Sequence, residues 1–287
     1  MSAPLPDRDG LGPTRIRLRG GAVLVELADR FGEGAAAKVL AGEVVCANGA
    51  VVDASTVLAP GAVVYLYRDL PDEVPVPFEM PILHRDNDIV VVDKPHFLAT
   101  MPRGGHVVQT AVVRLRRELG LPELSPAHRL DRLTAGVLLF TVRREVRGAY
   151  QSLFAEQKTR KTYLARATGT PMVELPAVVS SRIIKVRGQL QAYEEPGDPN
   201  AETHVERLPG GLYRLTPRTG RTHQLRVHMA SLGVPIDNDS LYPHVIEVAA
   251  DDFTRPLQLL AQTLEFEDPL SGEPRRFTSG RALLAGT

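Results

Sequence analysis

Strand-like and helix-like segments follow one another in this 287-residue chain without the regular alternation that builds a parallel βαβ sheet. Apolar runs at 89–92 and 137–142 read as strands, the first stopped by Lys94-Pro95. Residues 107–120 predict a helix with Val108, Ala111, Val112 and Leu115 on one side and Gly120 closing it. A further helix is expected at 145–157, a strand at 161–168 and an amphipathic helix at 223–233 ending on Gly233. Two strands turning at Ser271-Gly272 follow. The expected class is α+β, a mixed or antiparallel central sheet with flanking helices, and no internal repeat is visible.

A smaller unit precedes this. Residues 22–41 carry two short helical patterns broken at Gly32 and Gly34, and VVCANGAVV reads as two strands around Asn48-Gly49, a strong hairpin signal. A turn at Pro60-Gly61 leads into a last strand. The expected division is a flexible tail over 1–14, a small α/β module over 15–70, a proline- and acid-rich linker over 71–77 and a large domain over 78–287.

Composition excludes several classes. No apolar stretch approaches bilayer length, and MSAPLPDRDGLGPT lacks the basic start and apolar core of a signal peptide, so a cytoplasmic location is expected. The single Cys46 cannot form an intrachain disulfide and has no companions for a metal site; it is expected as a small, buried or half-buried apolar residue. The formal net charge of +0 hides a segregation. Between residues 112 and 166 there are twelve basic side chains against five acidic ones, and residues 213–229 hold four arginines and no acid. Either stretch fits a solvated helix face; the two together also fit a groove facing a polyanion.

Three segments carry candidate chemistry. In PAHRLDRLTAGVLLF, Asp131 lies in a polar turn between Arg129 and Arg132, ahead of an apolar strand. Cationic neighbours favour an ionised carboxylate, which can serve as a nucleophile; the plainer alternative is a turn cap or an ion pair with Arg129. In TPRTGRTHQLRVHMASLG, Gly220 precedes a helix expected to begin near Arg221, whose N-terminus and arginines suit an anion. His223 and His228 are five apart, poor spacing for metal ligands on a helix, so a structural or polyanion-contacting role is expected of both. In KTYLARATG, Tyr163 follows Lys158, Arg160 and Lys161, and strand packing is its ordinary role. No phosphate-binding glycine loop, dinucleotide fingerprint, serine elbow or paired cysteines occur.

Taken in order, these segments resemble the RluA-type pseudouridine synthase family. HRLDRLTAGVLLF is similar to that family's signature, ILHRDNDIVVVDKP to its opening strand, KTYLARATG to its tyrosine strand, TGRTHQLRVHMASLGVPI to its arginine helix, and LQLLAQTLEFEDPLSGEPRRF to its closing hairpin. The likeness covers roughly 78–280, and residues 22–68 look like the small S-four-like RNA-binding module that often precedes such a domain. The resemblance implies an isomerase acting on RNA with no membrane, metal, redox cofactor or nucleotide; the RNA is ribosomal or transfer RNA, with ribosomal ranked first, and a monomer is expected. It implies Asp131 as catalytic carboxylate, Tyr163 as active-site tyrosine and Arg221 as the arginine pairing with Asp131. Arg129 would hold the target nucleotide out of its stack, and His128, Arg132, Lys161, His223 and Arg226 would contact RNA. The sequence departs from the pattern at Ala135, Asn238, Gln262 and Asp268, and in PHFLATMPRGGH, which is expected to shape recognition.

Two rival classes are weighed against this. A non-enzymatic RNA-binding or ribosome-assembly protein needs the basic groove but not a carboxylate at its centre. A glycoside or nucleoside hydrolase needs a second carboxylate, and the motif around Asp131 has none.

Overall fold

The computed structural model describes residues 3–284; residues 1–2 of the expected tail and 285–287 of the expected large domain lie outside them. The chain divides into two compact units, residues 1–73 with 103–108 and 113–122, and residues 74–102 with 109–112 and 123–287. The division is thus not the contiguous one expected, because two segments beyond residue 100 belong with the first unit. Within the expected tail, Arg8 and Leu11 exchange backbone hydrogen bonds of 2.9 Å, and the Gly10 carbonyl accepts from Arg116.

The first unit opens with β1 (Thr14–Arg17), β2 (Gly21–Ala22), α1 (Val23–Phe31) and α2 (Glu33–Leu40), and continues with β3 (Val45–Cys46), β4 (Val57–Leu58) and β5 (Val63–Leu66). Its three-stranded sheet runs β1-β5-β3, and β2 pairs with β4. Val23, Leu27 and Val39 from the helices close on Ile16, Val64 and Leu66 from the sheet, as the apolar spacing requires. The Asn48-Gly49 turn forms as expected, with Gly49 at φ 84°.

The chain continues through β6 (Ile82–Arg85), β7 (Ile89–Lys94), α3 (Ala111–Leu119), β8 (Ser125–Pro126), β9 (Ala135–Thr141), α4 (Arg144–Ala155) and β10 (Thr159–Arg166). It ends with β11 (Ala177–Ile184), β12 (Tyr193–Glu195), β13 (Ala201–Leu208), β14 (Leu212–Pro217), α5 (Gln224–Ser231), β15 (Leu259–Glu267) and β16 (Pro274–Thr278). An eleven-stranded sheet runs β12-β11-β13-β14-β10-β15-β9-β7-β6, with β16 on β15 and β8 on β9. Every pairing along that order is antiparallel except β9 with β15, so the sheet is mixed and the class α+β. Four strands, β11 to β14, fall where the sequence motifs predict no element.

Two helices cover the sheet on either side of the parallel seam. Val146, Tyr150 and Leu153 of α4 pack on Ile89, Val91, Val137, Leu139 and Leu264. Leu225 and Met229 of α5 pack on Ala165, Val205 and Leu215, while Val227 joins a second cluster with Ile183, Ala201 and Tyr242. Every residue from Gln224 to Met229 is buried, so α5 is enclosed rather than amphipathic as expected. It starts at Gln224, one residue after the expected 223 and three after Arg221, because His223 takes a left-handed conformation at φ 59° and ends the preceding loop. Among the described residues no helix is long and apolar enough to cross a membrane.

Candidate active site

Asp131 sits on the loop between β8 and β9, and that loop is held by its backbone. The Thr100 hydroxyl donates to the Leu130 carbonyl at 2.7 Å and accepts from the Leu130 N–H at 3.1 Å. Thr134 N–H donates to the Asp131 carbonyl. Lys94 Nζ donates to Arg132 O at 3.3 Å, and His96 Nδ1 donates to Leu133 O at 2.7 Å. Each carbonyl from residue 130 to 133 therefore has a donor, which fixes the direction in which the Asp131 side chain leaves the loop. His96 and Thr100, from the PHFLATMPRGGH segment expected to shape recognition, thus hold this loop together with Lys94.

Lys94 is fully buried and spends its three ammonium donors on the carbonyls of Pro95, Leu98 and Arg132. Burial pushes its pKa down to about 7, against the pull of the Asp131 charge. Burial likewise drives His96 down to about 4, which leaves its ring neutral and able to donate through Nδ1.

The cleft beside Asp131 has a volume of about 470 Å³ and lies between the end of α4 and the start of α5, with Tyr163 of β10 and Leu259 of β15 in its wall. Tyr163 adjoins a β-bulge: Thr162 pairs with Thr263 and Tyr163 with Ala261, leaving Gln262 as the extra residue. Burial and the Asp131 charge raise the Tyr163 hydroxyl well above its ordinary value, so it stays a neutral phenol. Lys161, two residues earlier on the same strand face, also lines the cleft, and burial lowers its pKa.

The guanidinium facing Asp131 is that of Arg226, not Arg221. Arg226 Nη1 lies 3.8 Å from Asp131 Oδ2. Its other donors go to Asp239, Nε to Oδ2 at 2.8 Å and Nη2 to Oδ1 at 2.6 Å. Burial works against the Arg226 charge, but hydrogen bonds and charge from Asp239, with help from Asp131, more than offset it and raise its pKa. Arg221 is exposed and donates through Nε to the Asn200 carbonyl at 3.0 Å. The late start of α5 explains the exchange. Gln224 is buried, and its Oε1 accepts from the Arg221 N–H and the Thr219 hydroxyl while its amide donates to Glu202 O and Thr203 Oγ1. That staple keeps Arg221 in the loop and turns the next arginine inward.

The remaining expected contacts divide between open and closed positions. Arg129 is exposed at the cleft, whereas Arg132 is half-buried, with its pKa lowered by burial and by Arg226. His128 stacks on Phe154 with centroids 4.4 Å apart and accepts the Leu139 N–H through Nε2. Burial and Lys161 push its pKa down to about 3, so it forms a neutral wall of the cleft. His223 lines the cleft and bonds Tyr242 Oη through Nδ1 at 2.9 Å. His228 is enclosed between Thr203 and Ser181 and is structural. Arg226 is buried as well, so the expected role in RNA contact does not fit it. Asp239, Gln224, Lys94 and Thr100 were not expected; only Asp239 left a trace in the sequence, as the acid next to the departing position Asn238.

Two departures from the family pattern find reasons here. Asn238, where glycine is commoner, has φ 62°, a left-handed conformation that asparagine tolerates better than most residues. Asp268, where histidine is frequent, is buried and accepts from the Tyr150 hydroxyl at 3.0 Å.

A family model described as RNA pseudouridylate synthase matches residues 88–231, which takes in the Asp131 loop, β10 and α5. The chain belongs to this family. Human pseudouridylate synthase RPUSD2 is 36% identical over 179 residues, covering 60% of this chain and 33% of that one. The dual-specificity RNA pseudouridine synthase RluA of Yersinia pestis is 32% identical over 207 residues, 69% of this chain and 97% of that one. The chain thus spans about a third of the length of the human relative and nearly all of the bacterial one. Among solved structures, human RNA pseudouridylate synthase domain containing 1 superposes with a TM-score of 0.56 at 25% identity, covering 71% of this chain and 84% of that one. The α+β architecture is that of the RluA-type pseudouridine synthases. The matched stretch ends at α5, ahead of Asp239.

Proposed function

We propose that this chain isomerises uridine to pseudouridine in structured RNA, with ribosomal RNA ranked ahead of transfer RNA and Asp131 as the catalytic carboxylate. The observation that carries the reading is the meeting of Asp131, Tyr163 and Arg226 at one cleft. Asp131 keeps 23% of its side chain exposed there while Arg226 keeps 3%. A carboxylate open to the cleft and backed by a buried cation is arranged to react with something that enters.

The chemistry asks little else of the protein. Isomerisation breaks the glycosidic bond, turns the base and joins its carbon five to the ribose, with no net gain or loss of electrons, so it calls for no redox cofactor. Asp131 serves as the nucleophile and the Arg226 guanidinium stabilises its negative charge. Tyr163 offers its ring as a stacking surface for uracil and stands near the carbon-five proton that must leave. The reacting atoms are inaccessible within a helix, so the uridine must be extruded, and Arg129 at the cleft edge is placed to fill the vacated position.

The test is to incubate the purified protein with unmodified total RNA and to map new pseudouridines chemically, with Asp131→Asn alongside. Sites that appear with the wild type and vanish with Asp131→Asn support the reading and identify the RNA. Tight RNA binding with no new site from either protein would replace it with the non-enzymatic one, and free uracil in solution would mark a hydrolase.

A further inference from the structure

We propose that Asp239 is a positioning residue for Asp131: it holds the Arg226 guanidinium in a fixed fork, so that one nitrogen faces Asp131 without closing on it. The inference rests on the reading of Asp131 as the reacting carboxylate. Asp239 has none of its side chain exposed, so it touches neither RNA nor solvent and acts through Arg226.

The geometry is that of a clamp with one free end. Two of the guanidinium's nitrogens are engaged by Asp239 at 2.8 and 2.6 Å, a bidentate arrangement of charged partners. Asp239 is itself anchored, since its Oδ1 also accepts the backbone N–H groups of Leu241 and Tyr242 at 2.8 and 3.1 Å. The Tyr242 ring lies 5.2 Å from the guanidinium carbon and limits movement on that side. Nη1 is what remains, and it stops 3.8 Å from Asp131 Oδ2, beyond hydrogen-bond distance.

That gap has a chemical use. An arginine released from Asp239 would close on the next carboxylate within reach, which is Asp131, and settle at a normal charged hydrogen-bond length. Both partners would then be satisfied and the Asp131 oxygen would be occupied, unable to approach a sugar or base. Held back by Asp239, Arg226 supplies positive charge to the site and leaves the oxygen open. Backbone anchoring of Asp239 sets the distance.

The experiment uses the full chain as wild type, Asp239→Asn, Asp239→Glu and Asp131→Asn. Single-turnover rate and RNA affinity are measured on an unmodified ribosomal RNA transcript carrying a uridine that the wild type converts. Solvent exchange of the Arg226 Nε–H is followed by nitrogen-15 NMR. Asp239→Asn is expected to lower the rate about a hundredfold, the cost of an ångström-scale misplacement at a reacting group, with RNA affinity unchanged. Asp239→Glu, which restores the charge, should recover part of the rate. The Arg226 Nε–H should exchange slowly in the wild type and equally slowly in Asp131→Asn, since Asp239 does the holding.

Wild-type turnover in Asp239→Asn overturns the proposal, as does a loss of rate matched by an equal loss of affinity. Should the Asn variant not fold, Asp239→Glu carries the test, and full rate in it overturns the proposal too. Rapid Nε–H exchange in Asp131→Asn would likewise refute it, by showing that Asp131 does the holding. A wild type that forms no pseudouridine defeats the functional reading instead, and the exchange measurement still reports on the clamp.

Discussion

A β-carbon at Gly136 would lie 2.1 Å from the carbonyl oxygen of Ala261. The two residues are register partners across the β9–β15 seam, the one parallel pairing along the strand order of the described sheet, and Gly136 has φ +114°. No side chain fits this approach, which gives the glycine of the Thr-Ala-Gly motif its physical reason. The seam also joins the two halves of the site, because β9 follows the Asp131 loop and β15 pairs with the strand bearing Tyr163. Gly136→Ala is expected to cost about 3 kcal/mol or more, combining a strained backbone with an overpacked contact. Urea unfolding measures it, and an unchanged midpoint would mean that the strands part freely.

The two arginines of the α5 segment should separate cleanly on substitution. Arg226→Ala leaves Asp239 charged and buried without its partner, a loss of about 3–5 kcal/mol, and removes the cation facing Asp131. Arg221→Ala removes an exposed side chain with one carbonyl bond and should fold like the wild type, weakening RNA binding more than the chemical step. Unfolding curves together with kcat and KM decide the matter. An Arg221→Ala enzyme with normal RNA binding and no turnover would return the partnership to Arg221.

Why the sequence points to the wrong arginine is instructive. Both lie in TGRTHQLRV, and the family resemblance assigns the pairing with Asp131 to the first of them. The register is set instead by a buried glutamine and a left-handed histidine, conformations that spacing does not announce. The Asp131 loop and the Tyr163 strand were legible because apolar runs bound them closely in sequence. Strands β11 to β14 were not: AETHVERL alternates buried and exposed residues, but its charged outer face masks the pattern, and its partners come from segments rich in glycine and proline. Asp239 was visible as an acid and not as a partner, since its meaning depends on a fold that brings it to Arg226.

Acid should weaken the fold through its enclosed histidines. His228 is held neutral, with its pKa pushed down to about 4 by burial, while the same ring in the unfolded chain titrates near 6.5. As the pH falls from about 6.5 toward 4, the unfolded chain takes up a proton that the fold refuses, so stability is full above that window and declines within it. His96 and His128 act with the same sign. His228→Gln should lose about 1 kcal/mol at neutral pH through a missing hydrogen bond, yet show a smaller further loss between pH 7 and pH 5. An equal drop in both proteins, measured by urea unfolding at the two pH values, would remove His228 from the acid response.

Lys161 should act as a phosphate contact beside the reacting groups. It shares a strand face with Tyr163, and burial lowers its pKa, which means that its ammonium is short of favourable surroundings until an anion arrives. An RNA phosphate in the cleft supplies them and releases a counterion. Removing the charge in Lys161→Ala should therefore reduce the slope of log affinity against log salt by about 0.7–0.9, the contribution of one phosphate contact, while Lys161→Arg should keep the slope. The alkaline limb has a sign as well: because its pKa is lowered, the contribution of Lys161 is present in the protonated state and disappears as the pH rises toward the ordinary lysine range, earlier than for an exposed lysine. Binding isotherms over a salt series, repeated at two alkaline pH values, measure both effects. A slope unchanged in Lys161→Ala would mean that the RNA backbone passes elsewhere and that Lys161 faces the base.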